Sequence, residues 1–71
     1  MEYYIDAKLI GQKLKELRGY KPRRIVAKEI GIKERTLASY EDGTRLPSSS
    51  SMVALANYYD ISPNKLFFAK K

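Results

Sequence analysis

Arginine and lysine carry most of the chemistry this sequence can offer. Histidine and cysteine are both absent, which removes the commonest metal ligand, the commonest general base and any thiolate nucleophile. Fourteen Lys+Arg stand against eight Asp+Glu, a net charge of +6. The excess is concentrated: residues 8–35 hold ten basic and three acidic side chains, whereas residues 36–64 hold one and three. A basic half of this kind favours a polyanion, because each phosphate it neutralises releases condensed counterions. The plain alternative is a solvated surface kept soluble by its charge.

Length narrows the classes further. At 71 residues and 8.2 kDa, the chain is expected to form one domain, residues 1–71. A domain of that size buries roughly 60% of the surface its unfolded chain exposes, leaving little volume for an active-site cavity. No enzyme, metal or cofactor and no small-molecule effector is therefore expected. No apolar run approaches a membrane span, and the first residues lack a basic-then-apolar pattern, so no signal peptide is expected. A soluble, cytoplasmic binding domain is the expectation.

The elements that must position the charges read as helices throughout, separated by turn residues. A first helix is predicted from a cap at Asp6, with Ile10, Leu14 and Leu17 as one buried stripe and Gly19 as its end. Pro22 suits the first turn of a second helix, whose apolar face is Val26, Ala27 and Ile30 and whose stop is Gly31. A third helix is predicted over Glu34 to Asp42, with Leu37 and Tyr40 inward and Gly43 terminating it. Thr44 to Pro47 reads as loop. Ser48 then caps a fourth helix with a broad apolar face of Met52, Val53, Leu55, Ala56 and Tyr59, closed by Asp60. Ser62-Pro63 starts a short fifth helix carrying Leu66 and Phe67. The fold class is all-α, with five short helices.

The stretch Arg23 to Gly43, RRIVAKEIGIKERTLASYEDG, has the spacing of a helix-turn-helix. Two helices that cross closely need a small residue at the crossing, and Ala27 supplies it. The turn needs a positive-φ residue four positions later, where Gly31 stands. Val26, Ile30, Ile32, Leu37 and Tyr40 plug the corner from both sides. Any one of these signals is weak; together they form a specific pattern.

This segment resembles the helix-turn-helix of phage repressors and Cro proteins, the lambda-repressor-like family of small bacterial transcriptional regulators. Glu41-Asp42-Gly43, Arg45 and Pro47 are similar to that family's Glu-x-Gly-x-x-x-Pro signature. Leu55-Ala56, Tyr59, Ile61 and Ser62-Pro63 to Leu66 look like its closing helices, so the resemblance covers about residues 8–68. It implies a compact five-helix DNA-binding domain whose third helix reads base edges in the major groove. The matching positions are Lys33, Glu34, Arg35 and Ser39. Arg35 can bond guanine O6 and N7 with both arms of its fork. Glu34 can accept from cytosine N4, or instead cap its helix. Arg23 stands at the family's phosphate-holding position, and Arg24, Thr36, Thr44 and Arg45 join it as candidate phosphate-binding residues, with a solvated face or, for Thr36, a local backbone bond as the alternative. Arg18 and Glu41 look like the family's buried ion pair, a tertiary staple between the first and third helices.

The sequence departs from the family in three places. Arg23 stands where Gln usually holds a phosphate; the loop from Arg18 to Val26 is about two residues shorter; Lys33 replaces the usual Ser or Thr cap of the third helix. A first-turn acid, Glu34, partly offsets that poor cap.

The aromatic residues are read conservatively. Tyr40 and Tyr59 fall at core positions, Tyr58 at core or interface, and Tyr3-Tyr4-Ile5 is a hydrophobic staple or an arm. Phe67 and Phe68 exceed what one short helix hides and suggest a dimer contact. The resemblance implies a sequence-specific double-stranded DNA-binding regulator, most simply a homodimeric repressor. A protein-interaction module on the same fold, adaptor or antitoxin-like, is the competing expectation.

Overall fold

The computed structural model of the chain describes residues 3–67 and 69–70, with side chains described from Ile5 to Phe67. Five helices follow one another: α1 Ala7–Arg18, α2 Arg23–Ile30, α3 Glu34–Asp42, α4 Ser49–Tyr59 and α5 Pro63–Phe67. Two-residue strands flank them, β1 Tyr3–Tyr4 and β2 Ala69–Lys70, paired antiparallel with Tyr3 opposite Lys70 and Tyr4 opposite Ala69. This terminal pairing was not legible in the apolar pattern. The architecture is otherwise the expected all-α one. Among the described residues, no helix is long and apolar enough to cross a membrane.

Local chemistry accounts for the helix boundaries. The Asp6 carboxylate accepts from the amides of Lys8 and Leu9 at 3.0 and 3.1 Å, satisfying two donors that α1 leaves open. Ser48 does the same for α4 through the Ser51 amide. Gly31 ends α2 at φ 94°, where a side chain would be strained, and that conformation turns the chain into α3. Pro22 sits one position earlier than expected: it is the N-cap of α2 rather than its first helical residue, and its carbonyl accepts from Ile25 and Val26.

The core is one cluster: Ile10, Leu14, Val26, Ala27, Leu37, Tyr40, Leu55, Ala56, Leu66 and Phe67 are all buried. Tyr40 keeps its hydroxyl satisfied by donating to Ser51 Oγ at 3.2 Å, which ties α3 to α4. Three apolar assignments need correction. Leu17 is 38% exposed: with Ile61 and Leu66 it lines an open groove of about 280 Å³, rimmed by Lys13, Glu16 and Lys65. Val53 is 55% exposed, since it lies roughly 110° round the helix from the centre of the face formed by Met52, Leu55, Ala56 and Tyr59. Phe67 is 1% exposed and belongs to the single chain's core, so it offers no surface to a second copy. The Phe68 side chain lies outside the described residues.

Candidate nucleic-acid interface

Helix α3 owes its orientation to three buried side chains. Leu37, Tyr40 and Glu41 point into the protein, which leaves Arg35 and Ser39, one turn apart, on the opposite side. Lys33, Glu34 and Arg35 are exposed, Thr36 and Ser39 half-buried. Ser39 Oγ donates to the Arg35 carbonyl at 3.1 Å, so its proton is spent within the helix while its oxygen can still accept. Thr44 Oγ1 likewise donates to the Ser39 carbonyl at 3.2 Å and helps close the end of α3. Lys33 occupies the N-cap with no side-chain cap bond, leaving the first amides of α3 open.

The charges divide into spent and unspent. Among the described residues, Arg24, Lys33, Arg35 and Arg45 take part in no ion pair, and all four are exposed. The Arg45 guanidinium carbon lies 6.0 Å from the centre of the Tyr40 ring, at the edge of cation–π range. Lys15 approaches Asp42 only to 3.9 Å, both half-exposed, a contact of little energetic weight.

Arg18 and Glu41 do form the buried pair. Arg18 Nε donates to Glu41 Oε2 at 2.8 Å and Nη2 to Oε1 at 3.1 Å, a bidentate fork, while Nη1 donates to the Lys21 carbonyl at 2.9 Å. These bonds to the fully buried carboxylate hold the Arg18 pKa above its ordinary value, against the opposing effect of burial. The unexpected member is Arg23. Its Nε lies 3.2 Å from Glu41 Oε1, so the residue expected at a phosphate is also a second counter-ion of the carboxylate. The spacing hid this pair because the α1–α2 loop, not a helix repeat, brings Arg23 to Glu41.

A second cluster was also missed. Lys21 Nζ donates to Glu29 Oε1 at 2.7 Å and to the Tyr58 hydroxyl at 3.0 Å, and that hydroxyl donates in turn to Glu29. The Glu29 carboxyl is held below its usual range, first by the Lys21 bond, and Lys21 is correspondingly raised. Tyr58 is thus a surface tie among the α1–α2 loop, α2 and α4. Tyr20, in the same loop, is fully exposed.

Comparison with known proteins agrees with this geometry. A family model described as Helix-turn-helix matches residues 12–66, and no curated protein matches the sequence. Among solved structures, the SOS-response transcriptional repressor LexA from Eubacterium rectale is similar at TM-score 0.83 and 25% identity, covering 93% of this chain and 72% of that one. The restriction-modification controller protein C.AhdI from Aeromonas hydrophila superposes at TM-score 0.78 with 33% identity, over 90% of this chain and 100% of that one. The BldD DNA-binding domain of S. venezulae gives 0.72 and 26%, over 87% and 96%. With its small crossing residue, left-handed turn and outward third helix all in place, the chain belongs to the helix-turn-helix family of the Cro and repressor type.

Proposed function

We propose that this protein is a sequence-specific double-stranded DNA-binding transcriptional regulator, acting as a repressor by occupying promoter DNA. The observation that carries this reading is the outward stripe of α3. Arg35 is exposed, bears a charge that no described residue neutralises, and lies opposite the helix's buried face. A guanidinium presented on a short rigid helix suits bidentate bonding to a guanine edge. Lys33, Glu34 and Ser39 complete the base-reading set. Arg24, Arg45, Arg23, Thr36 and Thr44 serve the phosphates, Thr44 after giving up its bond to the Ser39 carbonyl. Phosphate contacts fix the register and base contacts choose the sequence.

The names of the similar structures support the class: one is called a transcriptional repressor, one a restriction-modification controller and one a DNA-binding domain. The protein works in the cytoplasm, on the nucleoid. A homodimer on two half-sites is the assembly that matches a helix-turn-helix reader.

Selection of random duplex DNA by the purified protein at about 0.15 M salt, where nonspecific binding is weak, tests all of this together. Two inverted halves about one helical turn apart support regulator and dimer. A lone half-site keeps the regulator and removes the dimer. No enrichment removes sequence-specific DNA binding and favours a protein-interaction module.

A further inference from the structure

Glu41 is surrounded by more positive charge than it needs. Its side chain is wholly buried, and two guanidinium groups approach it, Arg18 and Arg23. Arg18 supplies a bidentate hydrogen-bonded fork and spends its third nitrogen on the Lys21 carbonyl. That pair is complete without help: one charge meets one charge, with good geometry. Arg23 is therefore surplus to the carboxylate's neutralisation, and the three groups together keep one net positive charge.

The surplus charge sits in a particular place. Arg23 is the first residue of α2, and its side chain is one-third exposed, whereas that of Arg18 is half as accessible. Pro22, the cap of this helix, makes no side-chain cap bond. Arg23 approaches Glu41 most closely through Nε, 3.2 Å from Oε1, an ion pair that restrains the guanidinium while its partly exposed N–H groups stay available to an outside anion. A carboxylate that is itself anchored by Arg18 is a rigid support for that guanidinium. Long arginine side chains otherwise lose considerable rotamer freedom when they bind an anion.

We propose that Glu41 is a positioning residue for DNA binding: anchored by Arg18, it holds Arg23 pre-oriented at the start of α2 to receive one backbone phosphate. The inference rests on the DNA-binding reading above. It gives the Arg18–Glu41 pair a role beyond stapling α1 to α3. It also explains how an arginine serves where the resembled family usually places glutamine: the carboxylate supplies the order that a longer, more flexible side chain lacks.

The two effects of removing the carboxylate have opposite signs, which makes the test sharp. Glu41→Gln adds one positive charge, so unspecific electrostatics would tighten DNA binding. Loss of positioning weakens it. Affinity for a random-sequence duplex suffices, because phosphate contacts are independent of sequence, and it is measured by fluorescence anisotropy across a salt series on four proteins: wild type, Glu41→Gln, Arg23→Gln and the double variant. Glu41→Gln is expected to weaken binding about fivefold when Arg23 is present and to have little effect when it is Gln. Tighter binding, or equal weakening in both backgrounds, overturns the proposal.

Folding of each variant is checked by its thermal transition. If Glu41→Gln is unfolded at the assay temperature, the decision passes to Arg23 alone. Arg23→Gln should lower the slope of log K against log salt by about 0.9, one phosphate's worth, and Arg23→Lys should recover part of the affinity but not all. An unchanged slope in folded Arg23→Gln makes Arg23 a counter-ion only and overturns the proposal. Failure of the wild type itself to bind duplex DNA overturns the underlying reading instead, so the two failures are distinguishable.

Discussion

A methyl group on Gly11 would lie 2.3 Å from the main-chain oxygen of Glu41 and 2.6 Å from that of Tyr40, so α1 and α3 meet backbone to backbone. Neither oxygen can move without its helix. This contact sets the approach of α1 to the turn that carries the buried carboxylate, and Arg18, seven residues farther along α1, reaches Glu41 as a consequence. Gly11→Ala would gain about 1 kcal/mol from helix propensity in an open helix. Here the overlap must dominate, and the substitution is expected to destabilise the protein by about 3 kcal/mol or more. Chemical denaturation reads this directly. A midpoint equal to or above that of wild type would show that the two helices do not pack so closely.

Arg35 and Arg45 should separate specificity from affinity. Both are exposed and unpaired among the described residues, so truncating either should change stability by no more than about 0.5 kcal/mol. On the selected DNA sequence, Arg35→Ala should cost about 1–3 kcal/mol, with little loss on random duplex. Arg45→Ala should weaken both DNAs alike and flatten the salt dependence by about one charge. Competition titrations against the two duplexes give both numbers. Identical behaviour of the two variants would rule out this division of roles.

Lys33 places a positive charge at the positive end of α3, where it also fails to cap the helix. Lys33→Ser should therefore raise stability by about 1 kcal/mol through an N-cap bond. The same change removes a cation from the proposed DNA face, so duplex affinity should fall as the melting temperature rises. A variant that gained both, or lost both, would show that Lys33 is not held in place for binding.

Much of this was legible from residue spacing. The α3 span, the left-handed Gly31 and the small Ala27 are local signals that one sequence can display, whereas the Arg18–Glu41 pair was expected only through the resemblance to the repressor family. Leu17 and Val53 differ from expectation for another reason: helical periodicity gives an apolar face, but not how fully the neighbouring elements cover each position on it. Leu17 lines the open groove beside Ile61 and Leu66, and Val53 lies off the centre of its helix's buried face. Arg23 with Glu41, and Lys21 with Glu29 and Tyr58, were hidden because a loop closes them. No repeat spacing records where a loop delivers its side chains.

Tyr59 offers a test at high pH. Its hydroxyl is buried and finds no hydrogen-bond partner among the described residues. Burial first, then the charge on Glu41, pushes its pKa up to about 12, with Arg18 and Lys21 opposing. An unfolded tyrosine releases its proton near pH 10, so the folded state holds a proton that the unfolded state has already lost. Stability from this source is complete below about pH 10 and declines as pH rises toward 12. Tyr59→Phe cannot titrate and removes the unsatisfied oxygen. It should be about 1 kcal/mol more stable than wild type at pH 7, and the gap should widen between pH 10 and 12. Denaturation curves at pH 7 and pH 11.5 supply the comparison. A gap that stayed constant would mean that Tyr59 is solvated in the folded protein, and a Tyr59→Phe protein weaker at pH 7 would mean that its hydroxyl has a partner.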